Sequence, residues 1–523
     1  MRRSKPLYIQ IAQLLLMLLF VCGCADRIVR EAVPTLEPAP EFTEAGTAHA
    51  PNQWWTAFGD SKLNYQIQNA LANNFSLAAA RQNVREARAV TRLEASDFWP
   101  DIDGILGIGS DFGPFENSET YSLGLDLNYQ VDLWGEIQSR VEAERFRANA
   151  ACWDFHATAL ALSAEITSVW FSLIEAHAQA DLLKDQIKTN RTGLKLQEQR
   201  FGLGLIRSAD VLRQRQLLES TLQQEVIIQS QIRVLEHQLA VLLGQTPQLA
   251  QYDPGMILPE LPPLPQTGFS SELLLRRPDI QSNFNALLAA DRDFASAISA
   301  QFPRLNLSAS LTNISENPGE LLRDWIGSVA GQLIAPLFDG GQRKAEVDRT
   351  NALKLLLFNE YAQSVLVAYQ EVEDSLVQEK YQLQIIEHLE EQVKLSGQAS
   401  NQLREQYLIG DAEYLDVLSS ITGQQGLQRD LLGAQLELRL IRVSLYLALA
   451  GNIDPNQSHV GFIDSNMEPM PLDEVADTEI EETEPAESAD PPEPLKPEED
   501  LDIPDEVSPE TLLDRLRGTN KDE

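Results

Sequence analysis

From Tyr121 to Asp132 apolar and polar residues alternate without interruption. Tyr121, Leu123, Leu125, Leu127, Tyr129 and Val131 share one face, and Ser122, Gly124, Asp126, Asn128, Gln130 and Asp132 share the other. A period of two is that of an extended chain, so the pattern predicts a strand with one oily and one wet side. Its length of about eleven residues, with tyrosines towards both ends, suits a strand crossing a bilayer in a β-barrel, lipid outside and water inside. Residues 102–111 predict a weaker partner, joined to it through the polar segment 113–120. The arrangement recurs. Leu305, Leu307, Ala309 and Leu311 alternate with Asn306, Ser308, Ser310 and Thr312, and residues 325–335 predict a fourth strand after the loop 313–323. One such strand would equally suit a soluble sandwich; four at matching places, two ahead of each long helix pair, favour the membrane.

Around the strands the period changes to that of a helix. Leu63, Ile67, Leu71, Leu77 and Val84 predict a helix from Leu63 to Phe98, ended by Trp99 and Pro100. Two longer Pro-free stretches follow, Gly135 to Gly204 and Asp210 to Gly244. A sixty-residue helix reaches about 90 Å. Leu218, Leu222, Ile232, Leu235, Leu239 and Leu242 keep a narrow stripe. In the second half Ala362, Val365, Tyr369, Val372, Leu376, Leu383 and Ile386 do the same, as do Leu427, Leu431, Ala434, Leu438, Ile441 and Leu445. Stripes of this width are coiled-coil seams.

The halves are copies. RFGLGLIRSADVL at 200–212 returns as QYLIGDAEYLDVL at 406–418, pairing Gly204 with Gly410, Asp210 with Asp416 and each Val-Leu with its counterpart. In each copy a glycine reverses the chain and an aspartate occupies the first turn of the next helix. The domain reading is a first repeat over 51–247, a Pro-rich linker over 248–270 and a second repeat over 271–452.

Composition adds the compartment and removes most chemistry. Arg2, Arg3 and Lys5 precede an apolar run from Leu7 to Val21, too short to span a bilayer comfortably, and then Val21-Cys22-Gly23-Cys24. This reads as a secretory signal over 1–23. Its ending resembles a bacterial lipobox, although Val21 and Cys22 depart from the commonest residues, and makes Cys24 the expected lipidation site, followed by an extended linker over 24–50. The formal net charge of -37 argues against nucleic acid as a partner. Residues 453–523 carry much of that charge among prolines and read as a disordered acidic tail. The six histidines show no metal-ligand spacing, no phosphate loop is present, and Gly107-Ile108-Gly109 sits in a strand. No metal, cofactor or enzyme activity is expected.

Four strands cannot close a barrel, and an open edge in lipid leaves backbone N–H and C=O groups unpaired, so the chain must associate with copies of itself. Two, three or four chains would supply eight, twelve or sixteen strands. Further motifs narrow the choice: Trp54-Trp55-Thr56-Ala57-Phe58-Gly59-Asp60, Leu274-Leu275-Arg276-Arg277-Pro278-Asp279-Ile280, Gln301-Phe302-Pro303, Leu337-Phe338-Asp339-Gly340-Gly341 and both Gly-to-Asp-Val-Leu turns. With the lipobox, these make the chain resemble the outer-membrane efflux factors, the TolC-like family, and most closely its lipoprotein branch associated with multidrug efflux pumps.

The resemblance covers residues 24–452. It implies a mostly α-helical protein with a transmembrane β part: a trimeric β-barrel in the outer membrane, continuous with a long periplasmic α-helical coiled-coil barrel that tapers to a closed tip. It also implies a periplasmic adaptor and an inner-membrane transporter as partners, outer membrane lipid around the barrel, and passive conduction of small molecules such as drugs or toxic compounds. Asp416 matches the family's gate ring, and Asp210 and Tyr407 match two members of a linking set whose arginine is here Ala412. Arg207 or Arg213 are the candidates to replace it. Gly204, Leu205, Gly410 and Asp411 fall where the adaptor would meet the tip. Two other readings stay open: a duct for protein or peptide secretion, and a structural coiled-coil lipoprotein without a pore.

Overall fold

The computed structural model describes residues 42–44, 46–48, 53–112, 117–267 and 276–449; the signal segment, Cys24 and the acidic stretch after Asn452 lie outside them. The first predicted helix is two helices. α1 (Ser61–Asn73) and α2 (Phe75–Ala95) are divided at Asn74, which is extended and whose side chain accepts from Leu77 N at 2.9 Å. Nothing local demands the break. Its cause is tertiary: Asn74 Nδ2 donates to the Leu242 carbonyl at 2.9 Å, and a Cβ on Gly244 would lie 2.4 Å from the Asn73 carbonyl oxygen. The end of a distant helix therefore docks into the corner.

Ahead of α1 the motif beginning at Trp54 forms a short 3-10 turn, Trp54–Phe58, that drives Trp54, Trp55 and Phe58 into the core. Trp54 stacks on Tyr446 at 5.6 Å and Phe58 meets Phe171 edge-on at 5.0 Å. Asp60 then caps α1, accepting from Lys62 N and Leu63 N through Oδ1 and from Trp170 Nε1 through Oδ2. One aspartate thus starts a helix and fixes it to the long helix behind it.

β1 (Asp101–Phe112), β2 (Asn117–Val131), β3 (Arg304–Ser315) and β4 (Ile326–Ile334) form one antiparallel four-stranded sheet in the order β1-β2-β3-β4. Residues directly opposite share a face. Ile102, Leu106 and Ile108 therefore face the same way as Leu127, Leu123 and Tyr121, and this side continues through Leu305, Leu307, Ala309 and Leu311 to Leu333 and Val329. The opposite side carries Asp103 beside Asp126, then Asn128, Ser308, Ser310, Ser328 and Gln332.

Each hairpin of the sheet leads into a long helix and a shorter one. α3 (Glu136–Gly202) and α4 (Ser208–Leu242) follow β2, and α6 (Gln342–Ile409) and α7 (Tyr414–Ala448) follow β4. Glu136 and Gln342, Gly204 and Gly410, Ser208 and Tyr414, and Leu242 and Ala448 stand at one constant offset, so the two helix pairs are copies without insertion or deletion. At 67 residues α3 is about 100 Å long. It is apolar enough in one stretch to cross a membrane, but that stretch is 67% buried among the other helices. It is core.

The segment between the repeats is pinned by arginines. α5 (Pro278–Ser299) begins with Pro at its first position, and the preceding Arg277 pairs with Asp279 at 2.7 Å and Glu371 at 2.6 Å. Arg442 of α7, almost wholly buried, holds Glu379 through two N–H groups at 2.7 and 2.5 Å and donates to the Pro262 and Pro263 carbonyls. Residues 42–44 and 46–48, within the stretch read as linker, lie against the same region: Thr43 N donates to Glu373 Oε1 at 3.0 Å, and Ala48 N to the Leu264 carbonyl at 3.3 Å.

Candidate functional site

Two features of the fold bear on function, the sheet and the helix turns. Among the described residues β1 and β4 each pair on one side only, leaving two open edges. The oily face is bare, with Leu106, Ile108, Val329 and Leu333 all more than 60% exposed. At the sheet's base Trp134 Nε1 donates to the Pro303 carbonyl at 2.8 Å and its ring stacks on Phe302 at 5.0 Å, which ties the start of α3 to the start of β3.

Both turns have the same geometry. Gly204 and Gly410 are left-handed, with φ of 73° and 87°. Leu205 N donates back to the Arg200 carbonyl and Asp411 N to the Gln406 carbonyl, at 2.9 and 2.8 Å. These six-residue closures are Schellman motifs, in which glycine carries the positive φ without steric cost. Arg207 and Glu413 are the N-cap positions of the next helices, and Asp210 and Asp416 sit in their first turns. Leu203, Leu205, Leu408 and Ile409 are exposed around the turns.

Behind the turns the two helix pairs touch. Tyr407 does not meet Asp210; its hydroxyl donates to Gln197 Oε1 at 3.1 Å, and Arg200 lies over its ring at 4.5 Å. Asp210 instead faces Arg213 of its own helix at 3.6 Å. Asp416 is exposed, and Ala412 stands half-buried beside Asp411. The contact missed from sequence is Tyr414, whose ring lies 5.4 Å from that of Tyr407 and whose hydroxyl donates to Gln214 Oε1. Burial, with Tyr407 and Asp210 nearby, pushes the Tyr414 hydroxyl well above the ordinary tyrosine range, so it is a fixed donor. A signal was present: Gln186, Asn190 and Gln197 recur at spacings of four and seven, and Gln214 and Thr221 at seven, which places amides on a seam.

The pattern of the outer membrane efflux protein family matches residues 66–245 and 269–451, which is most of both repeats. The chain belongs to this family. Among relatives, it is 28% identical over 432 residues to the pyoverdine export outer membrane protein OpmQ of Pseudomonas aeruginosa, covering 78% of this chain and 90% of that one. It is 26% identical over 452 residues to the cation efflux system protein CusC of Escherichia coli, covering 82% and 96%. The solved outer-membrane channel OprN superposes with a TM-score of 0.73 at 26% identity, covering 80% of this chain and 98% of that one.

This outer membrane efflux protein is thus an exit duct of the outer membrane. The oily face of its sheet meets lipid and the wet face meets the channel. Among the described residues no group of three or more His, Cys, Asp and Glu is placed to hold a metal ion.

Proposed function

We propose that three copies of the chain close into a twelve-stranded barrel, anchored through lipidated Cys24, and that the turns form the closed periplasmic tip. The observation that carries this is the sheet, whose two unpaired edges and continuous oily face require completion by strands of the same kind. A neighbouring copy supplies them. Leu337 and Phe338, 87% and 93% exposed next to β4, gain cover from the same association. The family supports an assembly with a periplasmic adaptor and an inner-membrane transporter, which drives the passage of small molecules such as drugs, toxic compounds or cations; the duct itself is passive.

In this reading Asp416, exposed at the start of α7, lines the constriction, Tyr407 joins the helix pairs that frame it through Gln197, and Asp210, paired with Arg213 of its own helix, sets the charge at the start of α4 beside it. Gly204, Leu205, Gly410 and Asp411 meet the adaptor, with the exposed leucines of the turns supplying apolar contact. The test is planar-bilayer conductance of wild type against Asp416→Ala at equal inserted protein. Wild type is expected to be mostly closed, and the variant to open more and to select cations less. Silence of both after confirmed insertion would support the pore-free spacer instead.

A further inference from the structure

Ahead of the Trp54 turn, residues 42–44 and 46–48 form a strap laid over α6 and the Pro-rich crossover. Phe42 meets the Tyr369 ring edge-on at 6.2 Å, Thr43 N donates to Glu373 Oε1 at 3.0 Å, and Lys380 Nζ donates to Glu44 Oε1 at 2.6 Å. Three successive residues thus meet α6 at points progressively further from the sheet, so the strap's leading end faces the sheet. Gly46 N and Ala48 N donate to the Pro265 and Leu264 carbonyls, and Gln266 N donates back to the Ala48 carbonyl at 2.8 Å, a short parallel pairing with the crossover. The fit is close: a Cβ on Gly46 would stand 1.9 Å from the Leu264 carbonyl oxygen, so only glycine lies flat there.

The height of the strap is set by α6. Tyr369 stands 27 residues beyond Gln342, which puts Phe42 about 40 Å from the start of α6 at the base of the sheet. Between Cys24 and Phe42 lie 17 residues, with prolines at 34, 38 and 40. Drawn out fully, such a length reaches about 60–65 Å; as a flexible coil its ends average about 25 Å apart. A relaxed coil falls short of the membrane surface, and a drawn-out chain reaches it. Prolines favour the drawn-out form. We infer that the stretch from Cys24 to the strap is a measured tether: lipid on Cys24 fixes one end at the membrane surface, the strap fixes the other to α6 and the crossover, and the sheet is thereby held at bilayer depth. The inference rests on the lipidation of Cys24 proposed above.

A tether depends on its length, whereas a strap that merely packs is indifferent to how many residues precede it. Removing residues 30–33 leaves a reach of about 50 Å, still sufficient, and removing residues 28–35 leaves about 35 Å, less than the span. In the shorter chain lipid and strap cannot both be in place. The strap yields, because its bonds at Thr43 and Glu44 are exposed, while every acyl CH₂ adds to the hold of the lipid.

The experiment measures strap docking in the full chain in outer membranes, as the yield of a short bifunctional thiol cross-linker between Glu44→Cys and Lys380→Cys; Cys152 is buried. Four linkers are compared: intact, without residues 30–33, without 28–35, and without 28–35 but with eight Gly and Ser residues in their place. Residues 25–27 stay, so the surroundings of Cys24 are unchanged, and mass spectrometry of the N-terminal peptide reports its acyl group. Expected are equal yields for the first two, a fall of about fivefold or more for the third, and recovery in the fourth. The third linker should also recover when Cys24→Ser, exported behind an ordinary cleaved signal, removes the lipid, which shows that the shortened chain folds. If the chain lacking 28–35 is acylated and still cross-links like the intact one, lipidation stands and the tether is wrong. A loss that Cys24→Ser does not reverse also overturns it. If Cys24 carries no acyl group in any chain, the lipidation reading itself fails and takes the tether with it.

Discussion

Arg442 shows how far a single residue can organise this chain. Its side chain is 2% exposed, its partner Glu379 8%, and the remaining N–H groups go to carbonyls of the Pro-rich crossover. Removing one partner of such a pair leaves the other charge buried and alone, so Arg442→Ala should cost about 3–5 kcal/mol. Chemical denaturation of detergent-solubilised protein measures it, and Arg442→Met with Glu379→Leu should recover most of the loss. Asn74→Ala is a smaller case. It removes a cap and the bond to Leu242, and should cost about 0.5–2 kcal/mol by the same assay. Neither residue stood out in the sequence, because an arginine or asparagine on a helix usually faces water. Tyr407 did stand out, but its partner did not: the glutamine that receives it, Gln197, comes from the other repeat.

Among the elements, legibility followed period. The strands alternate, and a two-residue period in a half-buried sheet has one reading, so β1 to β4 appear within a few residues of where the pattern put them. The long helices appear between their glycines for the same reason. Register is not a property of one strand, and the pairing of Asp103 with Asp126 came only from the sheet. The break at Asn74 was hidden because the corner is demanded by α4, far away in sequence. The buried amides Gln186, Asn190 and Gln214 keep a seam spacing in the sequence, but their partners in the other helix pair come only from the fold.

α3 also carries the clearest pH dependence. His156 is buried between Phe155 and Trp153, and desolvation lowers its pKa below the ordinary histidine value. The folded state therefore holds it neutral. Its contribution is complete above the unfolded value, about 6.5, and is lost as pH falls below that towards the folded value. Thermal unfolding between pH 7.5 and 5 should show a drop in midpoint that His156→Asn reduces. Glu175, lifted by burial despite accepting from Gln179, changes in the opposite sense: lowering the pH relieves its desolvation, and Glu175→Gln should be neutral or stabilising near pH 7.

For the whole molecule, the two repeats make a unit with pseudo-symmetry but an unfinished wall. Two hairpins contribute a four-stranded arc, and two helix pairs of equal length continue from it, so the arc and the helical part are built to the same repeat. An arginine on the oily face, as in Leu125→Arg, should reduce assembled protein in the outer membrane, at about 2–4 kcal/mol for mid-bilayer depth, whereas Ser310→Arg on the wet face should assemble and shift ion selectivity. Membrane fractionation followed by conductance separates the two.

The measurement closest to the central claim is the number of chains in the duct. Native mass spectrometry of protein extracted from outer membranes in mild detergent should show a species of three chains, each contributing four strands, with little free monomer. A monomer that conducts by itself, or a stable assembly of two or four chains, would contradict the account.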